Sequence, residues 1–229
     1  RRERGQGKIM DNTDREKRRL SAIMFSDICG FSRMMGEDEQ RARRILALHN
    51  EILSLHIVDY SGHIIKSTGD GLLAEFHSAV SAVKCAIAIQ KHMRQCNLKL
   101  GEQEQFDVRI GVHLGDVVVS NNDIFGDGVN VASRIEPLAL PGGICISQDV
   151  YNQIQNQVEM EIVSLGPRQL KNINRQVEIY RVLVAAADRK IIARESRRRK
   201  LPLKWIGIAA AAIPVVVVLV LVLAGTKRN

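Results

Sequence analysis

Asp27 and Asp70 are the residues on which chemistry in this chain is most readily built. Each carboxylate ends an apolar run beside glycine, in Phe25-Ser-Asp-Ile-Cys-Gly-Phe-Ser32 and Lys66-Ser-Thr-Gly-Asp-Gly71. Carboxylates are hard oxygen donors, suited to Mg²⁺ or Mn²⁺ and, through such ions, to phosphate groups. Taken singly, Asp27 would read as a helix cap and Asp70 as a turn residue. A third segment, Asp123-Ile-Phe-Gly-Asp-Gly-Val-Asn-Val-Ala-Ser-Arg134, brings more polar groups. Within it Asn130 and Arg134 are four residues apart, which sets them on one face of a helix. The strand-to-helix connection around Gly30 is of a kind whose backbone N–H groups can cradle anions.

Positioning these groups requires a definite order of elements. Residues 20–26 read as a strand ending at Asp27. Within 37–58, Ile45, Leu48, Ile52 and Leu55 recur at helical spacing. Residues 63–66 and 72–76 flank a turn-rich connection and predict a hairpin. That hairpin can set Asp70 beside Asp27 although 43 residues separate them. Residues 78–96 read as a second helix with Ala79, Val83, Ala86, Ile87 and Ile89 on its apolar face. Beyond it come a strand pair over 106–119 interrupted near Gly115, a helix over 130–138, a strand over 143–147 and a helix over 148–155. Two last strands fall near 158–165 and 177–184. The opening βαββαβ order predicts an α+β domain of ferredoxin-like type, an antiparallel sheet with helices packed on one face.

The three segments, in this order, resemble the catalytic domain of the class III nucleotidyl cyclases over residues 19–184. The resemblance implies a core similar to the palm of nucleic-acid polymerases. It implies that Asp27 and Asp70, with the Ile28 carbonyl, hold two Mg²⁺ or Mn²⁺ ions per active site, and that N–H groups of Cys29, Gly30 and Phe31 cradle phosphates. Lys66 and Asp123 match the family's base-selecting pair: a cation donating to adenine N1 and a carboxylate accepting from the 6-amino group. Guanine offers an N1–H donor and a 6-oxo acceptor instead, so the pair implies ATP over GTP. Asn130 would orient the ribose, and Arg134 would stabilise charge developing on the α-phosphate. Lys171 lies near the family's later phosphate lysine, with Arg175 as its alternative, while Asp116 stands where some relatives carry arginine. Asp116 and Asp127 themselves read as solvated loop acids. The activity implied is conversion of ATP to 3′,5′-cyclic AMP and pyrophosphate, in composite sites of a homodimer. A guanylyl or dual-specificity cyclase, and a catalytically silent nucleotide-binding module, are the alternatives.

Charge is unevenly spread along the 229 residues, whose net value is +8. Residues 20–187 hold 15 Lys/Arg against 19 Asp/Glu, so the basicity lies in the flanks. A nucleic-acid-binding core would concentrate its cations on the folded domain, so no nucleic-acid partner is expected. The four cysteines form no Cys-x-x-Cys pair and the six histidines no metal-binding spacing, which predicts free thiols in a reducing compartment. Residues 1–19 form a charged lead-in, helix-like over 11–19, and 185–204 a basic connector. Residues 205–225 contain no charged side chain, and about 20 helical residues cross a bilayer core. This predicts one C-terminal transmembrane helix in the lipid bilayer, followed by a short tail at 226–229. The Arg197–Lys200 cluster before the span predicts a catalytic domain on the cytoplasmic side of the cell membrane. A sensor, upstream or linked through the membrane, is a further expected partner.

Overall fold

The structure is a computed structural model that describes residues 17–120 and 123–184. β1 (Lys17–Ile28) leads into two helices, α1 (Phe31–Glu37) and α2 (Glu39–Asp59). The hairpin β2 (Gly62–Ser67) and β3 (Gly71–Phe76), α3 (Ala79–Asn97), β4 (Val108–Ser120) and β5 (Asp123–Phe125) follow. Then come α4 (Asp127–Ile135), a 3-10 turn (Glu136–Leu138), β6 (Ile144–Ser147), α5 (Gln148–Ile154), β7 (Ile162–Gln169) and β8 (Gln176–Val182).

The strands lie in the order β2-β3-β1-β4-β6-β8-β7, with β5 paired to β4. Its first four members have the order of a ferredoxin-like βαββαβ unit, in keeping with the expected α+β class. The sheet is mixed rather than wholly antiparallel, because β6 runs parallel to β4. That pairing needs a crossover, which α4 provides.

Both faces of the sheet are covered. Ala22 and Met24 of β1 and Leu72, Ala74 and Phe76 of β3 pack with α2 and α3 in the larger core. Ile23 of β1, Leu73 of β3 and Val117 of β4 point the other way, toward Ala132 of α4. The expectation of helices on one face is therefore corrected: α4 lies on the second. This explains why β1 and β3 read as nearly continuous apolar runs, since neither face is left to solvent.

Local chemistry accounts for other departures. The helix expected over 37–58 is preceded by a separate α1, and the break comes at Asp38, which has an extended backbone and whose side-chain Oδ1 caps α2 by accepting from the Arg41 N–H at 2.9 Å. The strand pair expected over 106–119 is one continuous β4. Gly115 marks close packing there rather than a turn, as a Cβ on it would lie 3.0 Å from Gly128 Cα. Lys17–Arg19 belong to β1, opposite Val117–Val119, rather than to a helical lead-in. The Arg19 guanidinium is ion-paired with the buried Glu75 carboxylate, which ties the start of β1 to β3. The expected membrane span at 205–225 lies outside the described residues; among those described, no helix is long and apolar enough to cross a bilayer.

Candidate active site

The site gathers at the end of β1. Asp27 has two cross-strand neighbours, Gly71 on β3 and Arg109 on β4. Gly71 permits the hairpin to come this close, because a Cβ there would stand 2.2 Å from the Ser26 carbonyl oxygen. Asp70 occupies the turn just before it, after Gly69 at φ +93°, a left-handed conformation suited to glycine. Asp70 is thereby brought beside Asp27. Burial first, and then the charge and hydrogen bonding of Asp27, push the Asp70 pKa above the usual carboxylate value; Arg109 pulls it back.

Two facing carboxylates, the charge of one raising the proton affinity of the other, are a natural cation site. Hard oxygens suit Mg²⁺ or Mn²⁺. The Ile28 side chain is buried in the core, so only its backbone carbonyl can serve the site. Among the described residues no cluster of three or more His, Cys, Asp or Glu side chains forms a ready-made cage. The residues therefore fit a metal whose coordination is completed by backbone, water and phosphate oxygens, as is usual for Mg²⁺.

Gly30 adopts φ +74° and opens α1. The Cys29 N–H donates to the Asp107 carbonyl at 2.9 Å, so it is already engaged, while those of Gly30 and Phe31 stand where a helix has no internal acceptors. Burial pushes the Cys29 thiol up to about 11, which makes it an inert side chain rather than a nucleophile.

Lys66 and Asp123, 57 residues apart, meet within one chain. Lys66 Nζ donates to Asp123 Oδ2 at 2.5 Å, and the same ammonium lies 5.4 Å from the centre of the Phe125 ring. This pairing holds the Asp123 carboxyl below its ordinary pKa. Asn130 and Arg134 occupy the exposed side of α4, whose Val131, Ala132 and Ile135 are buried. Among the described residues neither side chain has an intrachain partner, and neither is among the groups acting on Asp70. The structure thus unites Asp27 with Asp70 and Lys66 with Asp123, but does not join Asn130 or Arg134 to either pair.

Lys171 is exposed in the turn between β7 and β8. Arg175 instead stands 3.8 Å from Asp127, beside a cleft of about 300 Å³ lined by Asp127 and residues 172–175. Asp127 is the first residue of α4 and Asp116 lies within β4, so neither is a loop acid.

Sequence reasoning missed Arg109 and Glu136. Arg109 Nη2 donates to Asp27 Oδ2 at 2.5 Å, and its Nε lies 2.9 Å from Glu136 Oε1. The second contact is close but misaligned, for neither atom satisfies hydrogen-bond geometry. Burial pushes Glu136 up to about 7, with Arg109 opposing. A charged residue in the apolar run Val108-Arg-Ile-Gly-Val112 was the available signal, since a charge in a covered strand needs a partner.

Comparison with known proteins agrees with this architecture. The model of the adenylate and guanylate cyclase catalytic domain family matches residues 14–184, and the chain belongs to that family. Candidate adenylate cyclase 3 of Rhizobium meliloti (strain 1021) is 44% identical over 165 residues, covering 72% of this chain and 28% of that protein. This chain thus spans less than a third of that relative's length. Among solved structures, an adenylate/guanylate cyclase/hydrolase from Silicibacter pomeroyi superposes with TM-score 0.69 at 38% identity, over 74% of this chain and 99% of the other. The adenylyl cyclase CyaB from P. aeruginosa gives TM-score 0.66 at 28% identity, over 74% and 96% of the two chains.

Proposed function

We propose that this chain is the catalytic unit of an adenylate cyclase, converting ATP to 3′,5′-cyclic AMP and pyrophosphate. The observation that carries the reading is the Lys66–Asp123 pair, assembled in the same chain as the two facing aspartates. Lys66 donates to adenine N1 and Asp123 accepts from the 6-amino group, so base binding exchanges their mutual ion pair for the edge of the ring. Guanine would meet a donor with a donor and an acceptor with an acceptor at these positions. Such mismatches leave polar groups unpaired and discriminate strongly.

Asp27, Asp70 and the Ile28 carbonyl would hold two Mg²⁺ or Mn²⁺ ions, which supply charge neutralisation for the triphosphate and acidify the attacking 3′-hydroxyl. The N–H groups of Gly30 and Phe31 bind phosphate oxygens, and Lys171 or Arg175 adds the triphosphate cation. Asn130 orients the ribose, and Arg134 meets the charge that develops on the α-phosphate. Catalysis here is positioning and electrostatic stabilisation, with no covalent intermediate.

The reading extends to assembly. Asn130 and Arg134 have no intrachain partner among the described residues, as suits side chains that, together with Lys66 and Asp123, work with the metal-binding aspartates of a second protomer. A symmetric homodimer then holds two identical composite sites. Residues 205–225 would anchor it in the cell membrane with the catalytic unit cytoplasmic.

The test is product analysis after incubation with ATP or GTP, each with Mg²⁺ and Mn²⁺. Cyclic AMP is expected from wild type, none from Asp27→Ala, and an eroded adenine preference from Lys66→Glu. Cyclic GTP-derived product at equal rate would support the dual-specificity alternative; nucleotide binding without any cyclic product would point to the silent module.

A further inference from the structure

Arg109 stands where β1, β4 and the turn after α4 converge. Its guanidinium lies between two carboxylates, Asp27 at 2.5 Å and Glu136 at 2.9 Å. Glu136 is 8% exposed and is held by close packing, since a Cβ on Gly111 would meet its backbone N at 2.4 Å and Cα at 2.6 Å. The Asp27 contact is an aligned hydrogen bond, whereas the Glu136 contact is a close ion pair whose atoms are not aligned for one.

We propose that Arg109 is a positioning residue shared between Asp27 and Glu136, and that this sharing sets how readily Asp27 and Asp70 accept a divalent cation. The inference rests on the reading of Asp27 and Asp70 as metal ligands. The guanidinium and the metal draw on the lone pairs of one carboxylate, and two cations so close repel. Glu136 relieves both conflicts by offering the guanidinium a second anion, inward of the site. Arg109 in turn keeps the Asp27 carboxylate aimed and partly neutralised while no metal is bound.

Two single variants should therefore move metal affinity in opposite directions. Arg109→Gln leaves two facing aspartates with one fewer compensating charge, so Mn²⁺ should bind about fivefold more tightly, although kcat falls because Asp27 is no longer aimed. Glu136→Gln keeps the shape and removes the competing anion, so Arg109 closes on Asp27 and Mn²⁺ should bind about fivefold more weakly. Arg109→Lys keeps the charge but not a fork able to span two carboxylates, so it should restore the affinity only in part.

The measurement is titration of the full chain with Mn²⁺ alone, free ion being read by its electron paramagnetic resonance signal, at one alkaline pH. In the Arg109→Gln background, Glu136→Gln should change the dissociation constant by less than about twofold, because its effect runs through Arg109. An equal loss in both backgrounds would overturn the proposal, reducing Glu136 to a distant charge. Shifts of the same sign in both single variants would overturn it too, as would an Arg109→Lys protein identical to wild type. Asp27→Ala separates this proposal from the one beneath it. If that variant binds Mn²⁺ as wild type does, the metal assignment itself fails. If it abolishes binding while the Arg109 and Glu136 variants leave affinity unchanged, only the sharing mechanism fails.

Discussion

His113 shows how a single residue can couple the fold to pH. Its ring is buried within β4, with Nδ1 2.8 Å from the Ser147 hydroxyl oxygen and 3.9 Å from Asp149 Oδ2. Burial pushes its pKa from 6.5 down to about 4, with Arg175 acting in the same direction and Asp149 and Asp127 against it. Between those values the unfolded chain binds a proton that the folded protein refuses, so stability falls as pH drops through the window. The loss from this group reaches at most roughly 3 kcal/mol. Glu136 works oppositely: its pKa rises from 4.5 to about 7, so its contribution is present in acid and is lost as pH climbs through that range. Because the two groups act in opposite directions, the difference from a variant is the informative quantity. In urea melts, His113→Gln should lose less stability than wild type as pH falls below 6.5, the gap widening toward 4. Parallel curves would contradict the assignment.

Among the elements, the β2–β3 hairpin bears most on the site. It delivers Asp70 to Asp27 only because Gly71 carries no side chain next to the Ser26 carbonyl. Gly71→Ala should therefore cost roughly 2 kcal/mol of stability, since backbone must shift to admit the methyl group. Cyclase activity should fall more than stability explains, because Asp70 retreats with the turn. Gly36→Ala is the control: an added Cβ there meets nothing within 4 Å, and alanine favours the helix, so stability should hold or rise slightly. Equal losses in the two variants would show that the close approach at Gly71 does not matter. The helix α4 is a second device of this kind, with a buried apolar side that fixes it to the sheet and an exposed side carrying Asn130 and Arg134.

At the scale of the whole molecule, the described part of the chain contains both acidic and base-reading pairs but leaves the α4 pair unengaged. A shared site makes a quantitative prediction. Asp27→Ala and Arg134→Ala proteins should each be inactive as homodimers, since both composite sites lose a part. After mixing with subunit exchange, half the dimers are mixed and each holds one intact site, so activity should recover to about one quarter of wild type. Activity that stays absent after exchange, verified with differently tagged subunits, would mean that each protomer works alone.

Much of this architecture could be read from residue order. The apolar runs and turn residues around Asp27 and Asp70 marked the strand end and the hairpin, and the spacing of Asn130 and Arg134 marked a helix face, because these patterns depend on local geometry. The sequence alone also determined that the domain's own charge is slightly acidic and that its cysteines form no paired motif; those described are free thiols. Register and layering were decided only by tertiary structure. That Arg109 faces Asp27 follows from β1–β4 pairing across 82 residues, and that Glu136 supports it follows from the turn packing on Gly111. The placement of α4 on the second face, the parallel β4–β6 pair and the capture of Cys29 N–H by Asp107 are likewise long-range outcomes. Local sequence encodes where a chain bends and which side is apolar; which charges then confront one another is fixed only when distant strands settle into a common sheet.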